Sequence, residues 1–134
     1  MYLVILGFLM AWSPLCGIPK NTFKQTKYRF SLASFVQIHH IIPRQFRNHP
    51  VIVDYNLEDG SNYMFMPNLR GKQLINTHRP NHEGGHEAYN KYVRGRLDHI
   101  YSTHDPSEHL YCVQNLSSYL RNQLCNGCKD IPWK

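Results

Sequence analysis

The chain has 134 residues, which is the length of a single domain. Charged residues make up 18% and aromatic residues 13% of it, a composition that excludes an intrinsically disordered protein. The formal net charge of +6 makes a polyanion the natural partner, and phosphate backbones are the commonest polyanion.

The first sixteen residues, MYLVILGFLMAWSPLC, are apolar and uncharged. This run is shorter than the roughly 20 residues that a membrane-spanning helix needs, but it fits the core of a signal peptide. We therefore predict a signal or anchor segment at 1–17, which would make the protein secreted or membrane-associated, and a domain at 18–134 with its core at 36–101. A first buried strand or helix of the domain is the alternative.

Basic side chains dominate the first part of the chain, because residues 1–53 contain no acid. The basic residues there are Lys20, Lys24, Lys27, Arg29, Arg44 and Arg47. They surround the pair His39-His40, and Arg44 and Arg47 follow it closely enough to bind a phosphate. A solvated basic face or a contact with an anionic membrane is the alternative.

Two strands are predicted next. The β-prone run 35–42 ends at Pro43, and the run 63–66 ends at Pro67. The remainder of this region is predicted as a short apolar run at 51–53, turns at 56–62 and a loop at 71–80.

Two helices follow. Apolar residues recur at three- and four-residue spacing on one predicted face, and these are Tyr89, Tyr92, Val93, Leu97, Ile100 and Tyr101. A second helix is predicted over 113–124, with Asp105-Pro106 as the break between the two. The order of strands followed by helices predicts a small α+β domain.

Four histidines form two pairs. His39 and His40 end the first predicted strand, where adjacent side chains point to opposite faces, so one could bind a metal while the other faces the substrate. His82 and His86 have the i, i+4 spacing that places two imidazoles on one face of a helix. Three imidazoles with an open position make a catalytic metal site, and a fourth can act as the general base.

Glycine complicates the helical interpretation of the second pair. Gly84 and Gly85 each lower helix propensity by roughly 1 kcal/mol, although they would give a phosphate and a metal room near the backbone. The alternative is that the helix starts only at Gly85 and that His82 lies in a loop. Pairing His78 with His82 is disfavoured, because Pro80 lies between them.

The segments IHHIIP, NYMFMP and HEGGHEAYNKYV together resemble the AHH family of the HNH/endonuclease VII superfamily over residues 38–97. The resemblance implies a ββα-metal finger like that of colicin-type DNases, here with an additional C-terminal helix. It also implies that His39, His82 and His86 bind the metal, that His40 activates water, and that Asn62 ties the loop by hydrogen bonds. The chain departs from the family pattern at Ile38, where the family has alanine, and at Tyr63, where it usually has glycine.

The predicted function is that of a metal-dependent endonuclease acting on nucleic acid, with DNA favoured over RNA. One divalent ion is expected, Zn²⁺ or Ni²⁺ by ligand type, while Mg²⁺ or Mn²⁺ could also serve. The alternatives are an inactive nucleic-acid-binding or structural protein that retains the finger, and a secreted factor whose histidines sequester metal. The sequence indicates neither an inhibitor protein nor an oligomeric state.

The cysteine spacing suggests a second metal site, but the length of the helix between the two halves argues against it. His109 and Cys112 resemble one half of a zinc site and Cys125 and Cys128 the other. The intervening helix would be about 18 Å long, so its two ends cannot share one ion. A Cys125–Cys128 disulfide or free thiols are the expected states.

Overall fold

The computed structural model describes residues 34–74 and 77–134, so the predicted segment 1–17 lies outside the described residues. Within the described ranges, no helix combines the length and the apolar character needed to cross a membrane.

Two short antiparallel strands form the first element, β1 (Val36–His40) and β2 (Tyr63–Pro67). His39 lies opposite Met64 and His40 lies opposite Tyr63. Because adjacent residues of a strand face opposite sides of the sheet, His39 shares the face of Met64, which belongs to the hydrophobic core, and His40 shares the other. Both predicted strands are confirmed.

β1 ends two residues before the predicted boundary, because the backbone of Ile42 bonds to a side chain and not to a strand. Ile42 N donates to Oδ1 of Asn62 at 2.8 Å. The loop that follows contains three turns of 3-10 helix, at Arg44–Phe46, Pro50–Ile52 and Gly60–Asn62. The apolar run at 51–53 lies partly in the second turn, where Val51 and Ile52 are buried and Val53 is exposed.

The predicted loop at 71–80 is wrong in its first half, where helix α1 (Leu69–Leu74) follows β2. Asn68 caps this helix, because its Oδ1 accepts a hydrogen bond from Gly71 N at 2.9 Å. Leu69 N donates to the Glu83 carboxylate at 2.9 Å, which satisfies another donor of the first turn. The capping asparagine was the available signal, and it directly follows a proline that marked the end of a strand.

Two long helices, α2 (Glu87–Thr103) and α3 (His109–Cys125), are in contact with each other, and the presence of both helices was predicted. Asp105 and Glu108 form a capping box at the break between them, and this local start explains why α3 begins four residues before the predicted Val113. Tyr101 is 58% exposed, so it does not belong to the buried face as predicted.

The hydrophobic core lies between β2, the two long helices and the turn at Pro50–Ile52. Its fully buried members include Ile41, Ile42, Met64, Met66, Tyr89, Val93, Leu97, Val113, Leu120 and Leu124. The fold is therefore a small α+β domain of the ββα type, with a two-stranded sheet packed against helices, as predicted.

Candidate metal centre

Three of the four predicted site histidines converge. One ring nitrogen each from His39, His82 and His86 lies within 4.8 Å of the others. His39 Nδ1 and His82 Nε2 are 3.2 Å apart, and the ring centroids of His39 lie 5.1 and 5.2 Å from those of His82 and His86. Within the part of the chain that the structure describes, no other cluster of three histidine, cysteine or acidic side chains has this geometry.

The second histidine pair reaches the centre from a loop and not from one helix face. α2 begins only at Glu87, His86 is its N-cap residue, and His82 lies in the preceding loop. Gly84 has a φ of +70°, a conformation that glycine adopts at low cost and that interrupts a helix. The helical interpretation of the i, i+4 spacing is therefore wrong. His82 lies in a loop, as in the alternative, although the helix starts at Glu87 and not at Gly85.

A backbone hydrogen bond fixes one end of this loop, and its two glycines border open space. His82 N donates to Pro67 O at 2.7 Å, which joins the loop to the end of β2. A Cβ at Gly84 or Gly85 would meet nothing within 4 Å, so close packing does not require either glycine. The space beside them is open, which agrees with the expected room near the backbone.

Amide oxygens orient two of the three imidazoles. Nδ1 of His82 lies 2.9 Å from Gln37 Oε1, and Nδ1 of His86 lies 3.0 Å from Asn90 Oδ1. An amide oxygen only accepts, so each Nδ1 donates to it, and in the neutral ring Nε2 is then the nitrogen with the lone pair. Metal-binding histidines are usually held by such outer hydrogen bonds.

The state of His39 also fits a metal ligand. The ring is 2% exposed, and its Nδ1 faces Nε2 of His82. Burial, reinforced by His82, His86 and His40, holds the pKa of His39 well below its usual value, so the ring is neutral at pH 7. Burial likewise lowers the pKa of His82. Two nitrogens on one tetrahedral zinc lie roughly 3.3 Å apart, close to the observed separation of His39 and His82.

His40 lies on the other face of β1, beside an ion-pair network. Its Nε2 is 3.4 Å from Glu58 Oε1, and its ring packs edge-on against Tyr63 at 4.7 Å. The same carboxylate accepts from Arg44 Nε at 2.9 Å and from the Tyr63 hydroxyl at 2.5 Å. Burial and the Glu58 contact raise the pKa of Tyr63, which keeps this hydroxyl a donor.

Glu58 is a residue that the sequence analysis missed. It lies in the turn-rich segment 56–62, where acidic side chains are common. Its position forms no recognisable sequence motif. Its contact with His40 exists only because the loop after β1 folds back beside the strand. The sequence offered no signal for it.

Asn62 holds that loop in place. Its Nδ2 donates to Ile42 O at 3.0 Å and to Leu57 O at 2.9 Å, while its Oδ1 accepts from Ile42 N. The Tyr55 hydroxyl lies 3.1 Å from the same oxygen. The side chain is fully buried and joins both ends of the loop, so it has a structural role beneath the site.

We expect Asn62→Ala to lower the free energy of unfolding by at least about 3 kcal/mol, because several buried backbone groups would lose their partners. Urea denaturation measures the change. Asn56→Ala is the matched control, since Asn56 is exposed and its Oδ1 accepts one bond, from Glu58 N. A loss for Asn62→Ala as small as that for Asn56→Ala would contradict the structural role.

The two predicted phosphate-binding arginines lie at the surface next to this network. Arg44 is bonded to Glu58, yet its side chain is 59% exposed, and Arg47 is exposed. Both line a surface cavity of about 380 Å³ that also borders Tyr55 and Glu58.

The thiols take no part in the metal centre. Cys112, Cys125 and Cys128 form no disulfide with one another, so of the two expected states they adopt the free one. His109 is buried and donates to His104 O at 3.1 Å. The argument against a shared zinc at the ends of α3 agrees with this arrangement.

A family model, described as a nuclease family of the HNH/ENDO VII superfamily with conserved AHH, matches residues 21–119. No curated protein and no solved structure matches the chain significantly. The matched region includes both strands, all four site histidines and Asn62. Since the match covers most of the chain, the protein belongs to the AHH family of nucleases within the HNH/ENDO VII superfamily.

Proposed function

We propose that this chain is a metal-dependent endonuclease that hydrolyses phosphodiester bonds in DNA, with His40 as its general base. The observation that carries the proposal is the convergence of three imidazoles, from His39, His82 and His86, with His40 adjacent to His39 at the end of β1. Membership of a nuclease family supports the reaction class, and the ligand set supports the dependence on a metal.

His39, His82 and His86 would hold one divalent ion. When bound, such an ion stabilises negative charge on the phosphate and on the leaving oxygen. Gln37 and Asn90 keep the protonated Nδ1 atoms turned away from the centre, so the Nε2 lone pairs of His82 and His86 stay available. Burial keeps His39 neutral, which favours binding because a protonated imidazole cannot ligate.

His40 accepts the proton from the attacking water. Its side chain is 19% exposed, so it is accessible to solvent while its ring remains packed against Tyr63. Glu58 is a positioning residue, because its carboxylate lies 3.4 Å from Nε2 of His40 and restrains the orientation of the ring. Arg44 and Tyr63 in turn hold the carboxylate in place.

We expect Glu58→Gln to lower kcat by about 10- to 100-fold with little change in KM, since displacing a reacting group by 1 Å can cost that much. Steady-state kinetics on a DNA substrate measures both constants. Glu108→Gln is the matched control, because Glu108 is exposed and its amide would retain the oxygen that caps Asp105 N.

A double variant separates positioning from folding. If Glu58 acts through His40, adding Glu58→Gln to His40→Ala slows cleavage no further than His40→Ala alone. Additive losses in the double variant would show that Glu58 has a different role.

Basic side chains near His40 suit a DNA substrate. Arg44 and Arg47 border one cavity, and their exposed guanidinium groups can donate to phosphate oxygens. Phosphate contacts of this kind are sequence-independent and weaken as salt rises. The proposal therefore favours DNA binding through the backbone.

Incubation of the purified chain with supercoiled plasmid tests the function. Parallel reactions contain Mg²⁺, Mn²⁺, Zn²⁺ or Ni²⁺, and a chelator serves as the blank. We expect conversion to nicked and linear DNA with at least one ion and none with chelator. An RNA of matched length gives the second arm, and cleavage of RNA alone would overturn DNA as the substrate. Failure to cleave either nucleic acid with any of the four ions would overturn the nuclease proposal.

A further inference from the structure

The segment after α3 returns to the metal centre, although it lies outside the residues that the family model matches. Gly127 and Cys128 have positive φ values of 86° and 57° and reverse the chain. Asp130 exchanges two hydrogen bonds of 3.2 Å with the side chain of Gln123, and Ile131 is 5% exposed. The segment is therefore packed onto the domain.

Gly127 brings this segment against the residues that precede His82. A Cβ at Gly127 would lie 2.8 Å from the carbonyl oxygen of His78, and its φ also disfavours other residues. The segment therefore lies in close contact with the chain just before His82.

Trp133 lies in this segment, with its indole against all three imidazoles of the centre. Its ring centroid lies 4.9 Å from that of His86 at an interplanar angle of 30°. The corresponding distances to His39 and His82 are 5.4 and 5.8 Å. The indole Nε1 donates to Asn81 O at 3.0 Å, so the same side chain also ties the residue before His82.

We propose that Trp133 is a positioning residue of the metal centre, which it assists by restraining the His82 and His86 rings and the loop that carries them. The inference rests on the proposed metal site. Imidazole χ2 is soft, so a ring without neighbours loses rotational freedom when it binds an ion. A tilted stack on His86 and a bond to the His82 loop reduce that loss in advance, and the apolar indole excludes water beside the ligands.

Metal affinity is the direct test. The full-length chain is titrated with Zn²⁺ in competition with a chelator of known affinity. We expect Trp133→Ala to weaken Zn²⁺ binding by about 10- to 100-fold, the range seen when outer contacts of a metal ligand are removed. Trp133→Phe keeps an aromatic ring but loses the bond to Asn81, so its affinity should fall between those of Trp133→Ala and the parent.

Tyr111→Ala is the matched control, because this aromatic side chain is 68% exposed on α3 and makes none of these contacts with the centre. Its Zn²⁺ affinity should equal that of the parent.

The fluorescence of Trp133 gives an independent measure of where the ion binds. The chain has two tryptophans, Trp12 and Trp133, so Trp12→Phe leaves Trp133 as the single indole. Addition of paramagnetic Ni²⁺ should quench its emission with a one-to-one end point. This measurement keeps Trp133 intact, so it holds even if Trp133→Ala fails to fold.

The outcomes separate the two proposals. If the parent binds no Zn²⁺ or Ni²⁺, the metal site itself is wrong, and this inference falls with it. If the parent binds but Trp133→Phe and every folded Trp133→Ala sample bind equally well, Trp133 has no positioning role and the metal site stands. If saturating Ni²⁺ leaves the Trp133 fluorescence unchanged, the ion does not bind beside Trp133.

Discussion

Replacement of His40 by alanine is expected to lower kcat for DNA cleavage by about 10²- to 10⁴-fold, the contribution typical of a general base. His40 ends β1 on the face opposite His39, so the substitution removes the proposed proton acceptor and leaves the three proposed ligands in place. KM should change little, because the loss affects the transition state more than substrate binding.

Two measurements on His40→Ala separate catalysis from folding. Its melting temperature and its Zn²⁺ affinity should both stay near those of the parent, since the side chain is partly exposed and is not one of the three converging ligands. His99→Ala serves as the control, because His99 is an exposed histidine on α2 and lies outside the histidine triad. Parent-like cleavage by a folded His40→Ala protein would remove His40 from the mechanism.

Local patterns predicted most of the fold. The 3.6-residue period between Tyr89 and Ile100 predicted α2, and proline marked the end of β2 and the break before α3. The predicted element boundaries were wrong where a side chain forms hydrogen bonds with backbone groups. Asn68 starts α1 inside a predicted loop, and the Asp105–Glu108 capping box starts α3 early. Such caps are short polar contacts that a hydrophobic period does not register.

The sequence predicted which histidines belong to the site but not the local structure that carries them. The tandem histidines and the later pair include the three side chains that converge, and His40 on the other face of β1, but the later pair was assigned to a helix face. A positive φ at Gly84 lets a loop deliver His82 instead. Glu58 and Trp133 were missed altogether. Their contacts join segments that are far apart in the chain, so no spacing in the sequence marks them. Tertiary contacts of this kind follow from the packed fold, not from any local period.

Removal of one proposed metal ligand should have the second large effect, on metal binding and on cleavage. We expect His86→Ala to weaken Zn²⁺ binding by more than about 100-fold, because even outer contacts of a ligand are worth 10- to 100-fold. It should also abolish metal-dependent cleavage. His86 is the most informative ligand to remove, since its side chain makes no capping hydrogen bond to α2 and is only half-buried, whereas His39 is 2% exposed. Chelator competition gives the affinity.

A graded series makes this test specific. Asn90→Ala removes only the bond to His86 Nδ1, so its loss of affinity should be about 10- to 100-fold and smaller than that of His86→Ala. Zn²⁺ should raise the melting temperature of the parent, because an ion that binds only the folded state stabilises it, and this shift should vanish in His86→Ala. His99→Ala should retain both the affinity and the shift. Zn²⁺ binding by His86→Ala that is as tight as in the parent would place the ion elsewhere, and the three converging imidazoles would then need another explanation.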